Sequence, residues 1–331
     1  MKLLIFEFIT GGGFNNQVFP TSLLTEGELM LRALLDDCSR IAALNVQLML
    51  EKRCKAIADG YAVNVTVVDA ADDIQQLFKD LLASVDAVWL LAPELAGILQ
   101  GWTAMVEASG KRLLTCSSAA VALTADKQRT FHCLHAAAIP TIQTALLSDC
   151  TAYRPGQWVI KPIDGVGCSD TWRVDSAEDF TQTLTLITQP QNFIIQPYLT
   201  GRTLSLSCVF YQGQGWVLCV NEQLLTVQDN RFTLRACQVN CLPVTPRLEQ
   251  LVAQLAQAIS GLHGYVGIDL IQSPLAAEEY WVVEINPRLT SSYVGIYQAL
   301  GINIVELVLQ LAQQPLAIKP VRNMQVDVKL I

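Results

Sequence analysis

Glu284 and Asn286 stand two residues apart in the stretch Tyr280-Trp281-Val282-Val283-Glu284-Ile285-Asn286-Pro287-Arg288. β-Branched and aromatic residues lead in and a proline halts the ladder, so the stretch reads as a strand with a polar end. Strand residues two apart share a face. A carboxylate and an amide oxygen therefore project together, a hard-oxygen pair suited to Mg²⁺ shared with substrate phosphates. Arg288 continues that face and can hold an anion bidentately. A third oxygen donor, Asp269, interrupts the apolar strand Gly267-Ile268-Asp269-Leu270-Ile271. A carboxylate there is costly unless paired or metal-bound. Adjacent antiparallel strands would set Asp269 beside Glu284; the ordinary alternative is a pair of edge-strand acids facing solvent.

Cationic groups lie earlier in the chain. Lys161 sits inside the apolar strand Gln157-Trp158-Val159-Ile160-Lys161-Pro162, where an ammonium must find an anion or lose its charge, unless it snorkels to the surface. The loop that follows, Ile163-Asp164-Gly165-Val166-Gly167-Cys168-Ser169-Asp170, can fold over phosphates through its backbone N–H groups. Glycines are also common in plain hairpin loops. Lys127 opens a helix and by itself reads as a solvated lysine. In Phe193-Ile194-Ile195-Gln196-Pro197-Tyr198-Leu199 an apolar strand bends at proline, and freed backbone groups there can read a purine edge beside an apolar wall. The alternative is an ordinary strand end.

The elements that must position these residues follow from periodicity. Residues 1–115 alternate strands (Lys2–Ile9, Val46–Leu50, Val63–Val68, Ala87–Leu91, Arg112–Thr115) with helices (Glu26–Cys38, Ile74–Leu82, Leu95–Ala108), which predicts a parallel α/β sheet. Its strand ends carry Glu7 with Thr10-Gly11-Gly12-Gly13, then Glu51, Asp69 and Pro93-Glu94. Ligands gather at such ends. The glycines either let backbone approach a ligand or make a flexible turn, and their spacing does not match a dinucleotide loop. Residues 116–200 read as an α+β block, with helices Ser117–Leu123, Asp126–Ala137 (capped by Asp126) and Ser176–Ile187 beside the strand Phe193–Pro197. Residues 201–331 are strand-rich: Leu204–Tyr211, Trp216–Asn221, Arg231–Asn240, Val266–Gln272 and Tyr280–Ile285, with helices Arg247–Leu262 and Ile302–Gln313. Three units follow: 1–115, 116–200 and 201–331.

Composition limits the function classes. The chain has 331 residues, 51% of them hydrophobic, and a mean hydropathy of +0.34. No run of about 18 uncharged apolar residues occurs, so no membrane span is expected. Glu7 interrupts the first apolar stretch and no small-residue cleavage site follows, so the reading is a buried first strand in a cytoplasmic protein. The net charge of −8 argues against nucleic acid as a partner. Ten cysteines are scattered without a Cys-x-x-Cys pair, which reads as buried free thiols. His132-Cys133-Leu134-His135 lacks a fourth metal ligand and reads as plain helix.

In this order the pieces resemble the ATP-grasp superfamily. The resemblance runs from about Lys127 to the last helix and rests on Lys161-Pro162 with Gly165 and Gly167, Gln196-Pro197-Tyr198-Leu199, Asp269, and Glu284-x-Asn286-Pro287-Arg288. The preceding α/β domain matches that superfamily's usual amino-terminal partner. The resemblance implies ATP between two α+β subdomains, with Lys127 and Lys161 on its phosphates under Gly165, Val166 and Gly167. It implies adenine at Gln196 to Leu199, and two Mg²⁺ or Mn²⁺ ions on Asp269, Glu284 and Asn286. A substrate carboxylate would take the γ-phosphate and an amine would attack the acyl phosphate, with Arg288 stabilising the transferring group. Two departures stand out. Gly201-Arg202-Thr203-Leu204 has no acidic residue for the ribose, leaving Thr203 for a weaker contact, and Gly167-Cys168 replaces the usual glycine pair.

Gly11-Gly12-Gly13, Ala92-Pro93-Glu94 and Asn286-Pro287-Arg288-Leu289-Thr290-Ser291-Ser292-Tyr293 resemble, more narrowly, the tyramine–glutamate ligases of methanofuran biosynthesis. That implies glutamate as acyl donor, tyramine or tyrosine as acceptor, and an amino-acid pocket near Glu7, Gly11, Gly12, Gly13, Glu94 and Tyr293. A homodimer fits this reading. Ligases or carboxylases for other metabolites, or an ATP-binding regulator without catalysis, are the competing readings.

Overall fold

A computed structural model describes residues 1–150, 152–313 and 318–330. The amino-terminal sheet holds β1 (Lys2–Glu7), β2 (Asn45–Glu51), β3 (Val63–Val68), β4 (Ala87–Leu91) and β5 (Arg112–Leu113), all parallel, in the order β3-β2-β1-β4-β5. Helices α1 (Thr21–Ser39), α2 (Ile74–Ser84) and α3 (Ile98–Ala108) cover it. That is why β1 and β4 are continuous apolar runs: both faces of each strand are buried. The sheet reverses its winding between β1 and β4, so Glu7 and Glu94 lie at the crevice where such sheets place ligands.

The second sheet is antiparallel and has ten strands. Its strands are β6 (Ala145–Leu146), β7 (Trp158–Pro162), β8 (Trp172–Val174), β9 (Phe193–Pro197), β10 (Arg202–Tyr211), β11 (Gln214–Gln228), β12 (Arg231–Leu242), β13 (Gly264–Gln272), β14 (Tyr280–Asn286) and β15 (Val326–Lys329). They run β14-β13-β10-β11-β12-β8-β7-β9-β6, with β15 on β12. The helices here are α4 (Ser118–Ala125), α5 (Lys127–Ala136), α6 (Ala177–Leu186), α7 (Pro246–Ala258), α8 (Tyr293–Leu300) and α9 (Ile304–Leu309). The sheet is thin at one point, where β12 meets β8 through the single pair Arg231 and Trp172. Beyond that junction Leu147, Ile160, Trp172, Val174, Phe180, Ile187 and Ile195 form a small core of their own. Helices α4 and α5 belong instead to the large core shared with the amino-terminal sheet and α7.

Several elements differ from the sequence reading. The expected helix from Leu95 breaks at Ala96 and Gly97, whose φ values are +49° and +71°, and begins at Ile98. The break turns the Ala96 N–H toward Asp164 Oδ2, 2.7 Å away. Strand β11 extends to Gln228 because it forms one long hairpin with β12, closed by Asp229 and Asn230 at positive φ. The last expected helix shortens to α9, and α8 and β15 are additional; α8 is a docked helix whose Gly295 approaches Val239 and Val328 too closely for a side chain.

Candidate active site

A cavity of about 390 Å³ lies between the two halves of the antiparallel sheet. Strands β13 and β14 pair so that Asp269 stands opposite Glu284, and Gly267 opposite Asn286. The two carboxylates therefore share a face, as alternation requires. Asn286 Nδ2 donates to Asp269 Oδ2 (3.3 Å) and Gln223 Nε2 to Asp269 Oδ1 (3.0 Å). Lys127 is buried, and its ammonium reaches Glu284 Oε1 (3.1 Å), the Gly165 carbonyl (2.9 Å) and the Ile163 carbonyl (3.4 Å). One side chain thus ties the glycine loop to the oxygen-donor strand. The solvated lysine that Lys127 resembled in isolation is a buried cation at the centre of the cleft. Asp126 caps its helix by accepting from Arg129 N.

Lys161 is buried on β7 in the same cavity. Burial pushes its ammonium down to about 8, against the pull of Glu284 and with the push of Lys127. Burial pushes the Asp269 carboxyl up to about 7, the Glu284 charge adding to it and the bonds from Gln223 and Asn286 opposing it. Burial also raises Glu284, yet Lys127 and Lys161 outweigh it and hold that carboxyl below its ordinary range. The two carboxylates are therefore unequal: one is held charged by two lysines, and the other is short of positive charge. Two carboxylates and an amide oxygen fit a divalent ion that also holds phosphate oxygens, since such ions need only one or two protein carboxylates. No set of three or more His, Cys, Asp or Glu side chains among the described residues forms a cage that would hold a metal without substrate.

The remaining residues divide. Gly165, Gly167, Gln196, Pro197, Tyr198, Leu199, Thr203 and Arg288 line the cavity, whereas Val166 is packed inside the loop. The Gln196 amide is tied to Thr144 Oγ1 (2.8 Å), and the Thr203 hydroxyl donates to the Gln223 carbonyl (2.7 Å). Arg288 Nε donates to Glu94 Oε2 (2.9 Å), a buried pair that joins the end of β14 to the amino-terminal crevice.

The cavity wall includes none of Glu7, Gly11, Gly12, Gly13 or Tyr293. The Glu7 carboxylate accepts from Ile9 N, Thr10 N and Thr10 Oγ1, capping its own turn. Gly12 has φ +108°, and a methyl on Gly11 would stand 2.7 Å from the Phe6 ring. The glycines are there for close packing in this turn. The Tyr293 hydroxyl donates to Asp37 Oδ2 (2.7 Å) and fastens α8 to α1. Two polar residues of the cavity wall, Glu26 and Gln223, carried no local signal. Glu26 lies on an amphipathic helix more than 100 positions before the rest of the cavity wall, and only the packing of the two domains reveals it.

An ATP-grasp domain model matches residues 124–292, and a pre-ATP-grasp domain model matches residues 44–121. The chain is 29% identical over 304 residues to the tyramine–L-glutamate ligase of Methanocaldococcus fervens, covering 89% of each. It is 25% identical over 301 residues to the protein of the same name from Methanocaldococcus jannaschii, covering 89% of this chain and 84% of that one. Among solved structures, an ATP-grasp superfamily protein from Archaeoglobus fulgidus superposes with a TM-score of 0.74 at 22% identity, over 99% of this chain and 92% of that one. No helix among the described residues is long and apolar enough to cross a membrane. The buried lysines facing paired strand carboxylates, the glycine loop and the matched domain order lead to one statement: the chain belongs to the ATP-grasp family, with a pre-ATP-grasp domain in front.

Proposed function

We propose that this ADP-forming carbon–nitrogen ligase joins L-glutamate to tyramine, or to tyrosine, through an acyl phosphate. The observation that carries the reading is the Lys127–Glu284 contact at 3.1 Å, with Asp269 and Asn286 beside it and Lys161 in the same cavity. Lys127 and Lys161 hold the ATP phosphates, and the loop from Gly165 to Gly167 covers them. Adenine lies along Gln196 to Leu199 against the apolar wall. Asp269, Glu284 and Asn286 would hold two Mg²⁺ or Mn²⁺ ions, which neutralise charge on the transferring phosphoryl group.

A donor carboxylate oxygen attacks the γ-phosphorus and ADP leaves with the bridging oxygen. The amine nitrogen then bonds to the acyl carbon as the bond from that carbon to the phosphate oxygen breaks. Arg288 stabilises the transferring group, and Glu94 orients its guanidinium. The named relatives support glutamate and tyramine as the substrates; production of a methanofuran-type cofactor is the setting this reading implies. A cytoplasmic homodimer belongs to the same reading.

The test is a panel assay. Purified protein with Mg²⁺, ATP and glutamate should release phosphate and form the amide only when tyramine or tyrosine is added, read by mass spectrometry. Silence with both amines and turnover with another carboxylate–amine pair would overturn the substrate assignment.

A further inference from the structure

The cavity contains a carboxylate that the ATP chemistry leaves unused. Glu26 lies in the second turn of α1, on the amino-terminal domain, yet lines the same cavity as Lys161, Glu284 and Arg288. It is partly buried, and its side chain makes no hydrogen bond or ion pair with a described residue. It sits over the glycine loop, where a methyl on Gly167 would be 3.6 Å from Oε1. Two nearby cations are engaged elsewhere, Lys127 with Glu284 and Arg288 with Glu94. Glu26 and Glu94 both act on the Arg288 charge, and Glu94 Oε1 is buried without a donor. Two carboxyl groups around one guanidinium are thus short of N–H donors. Holding an acid away from water without a cation is unfavourable. Burial accordingly pushes the Glu26 carboxyl above its ordinary range, with Arg288 only partly opposing. What completes the arrangement is a compact cation with several donors. An ammonium group has one charge and three N–H bonds.

We propose that Glu26 is the residue that binds a substrate's ammonium group in the half of the cleft beyond Arg288. The inference rests on the ligase reading, in which two substrates carry such a group. One is the α-ammonium of an amino-acid donor; the other is the acceptor amine before it loses its proton.

The test is Glu26→Gln, which removes the charge and keeps the shape, with thermal unfolding as the check on folding. Hydroxylamine, a neutral nucleophile, replaces the amine in one arm, so that hydroxamate formation reads the glutamate KM without an acceptor. A second arm varies tyramine. One KM should rise by about ten- to a hundredfold, while the ATP KM stays within about twofold and Glu26→Asp recovers part of the loss. A rise for glutamate with hydroxylamine identifies the donor's ammonium as the ligand; a rise for tyramine alone identifies the acceptor. Unchanged KM values for both overturn the proposal. If the wild-type protein forms neither hydroxamate nor amide, the glutamate–amine substrate assignment falls separately. Calorimetric titration of glutamate and of tyramine into the protein with MgADP then decides for Glu26. Binding lost in Glu26→Gln supports it, and equal binding or none in both proteins overturns it.

Discussion

Two places in this molecule share a description: a strand, a carboxylate and a run containing several glycines. One is β1 with Glu7 and the turn through Gly13; the other is β14 and its neighbours, with Glu284 facing the loop from Ile163 to Asp170. In the first, the carboxylate is consumed by its own turn, through three hydrogen bonds from Ile9 and Thr10. The glycines there lie against Phe6, Phe8 and Val68. In the second, the carboxylate meets Lys127 and the loop opens onto a cavity. The first place is a packed corner and the second a candidate site. What separates them is whether the polar groups are satisfied locally or left facing space that a ligand can fill.

The largest test of that contrast is removal of charge from the second place. Glu284→Ala should lower ADP formation by at least about a thousandfold, and Lys161→Ala by about a hundredfold, with thermal unfolding little changed. Near-normal ADP release by the Glu284 variant under saturating substrates would erase the distinction. Glycine substitutions probe it next. Gly13→Ala puts a methyl 2.4 Å from the Phe8 ring and should destabilise the fold by about 1–3 kcal/mol in urea titrations, with activity per folded molecule retained. Gly167→Ala has room but sits at φ +62°, so its stability cost should be about 1–2 kcal/mol and its main effect a raised KM for ATP. If both variants behaved alike, the glycine runs would have one role.

Smaller effects are expected at Tyr293, which belongs with the packed corner. Tyr293→Phe leaves Asp37 short of a donor and should lower stability by about 1–3 kcal/mol without altering any KM. Burial pushes the Asp37 carboxyl up to about 6, and the bonds from Tyr293 and Ile304 oppose it only in part. An acid raised in the folded state adds stability below its unfolded value near ~4, and this stability is lost as pH climbs. Unfolding free energies should therefore show a shallow loss from that value through about 6, absent in Asp37→Asn.

Much of the candidate site's cavity wall was legible because its signals are local. Polar residues at positions 284, 286 and 269 break otherwise apolar strands, and a lysine inside β7 does the same. Such breaks are expensive to bury without partners, so they announce themselves in one dimension. The pairing of Asp269 with Glu284 followed from two adjacent strands with a short connection. The glycines at 11–13 misled as a substrate cue because close packing and ligand approach leave the same mark on a sequence. The length of β11, the helix α8 and the edge strand β15 were hidden because their burial comes from partners far along the chain.

Alternation of apolar and polar residues determined the two sheet types, the order of the elements and the face on which the metal-type oxygens lie. Those features depend on neighbours within a few residues. The engagement of Lys127 with Glu284, the diversion of Glu7 and Tyr293 into packing, and the arrival of Glu26 in the cleft were decided only by tertiary structure. The contacts of Lys127, Tyr293 and Glu26 join segments more than 100 positions apart, and no local pattern encodes such distances. The Glu7 bonds are local, yet whether that turn packs shut or opens onto a ligand depends on the residues packed around it.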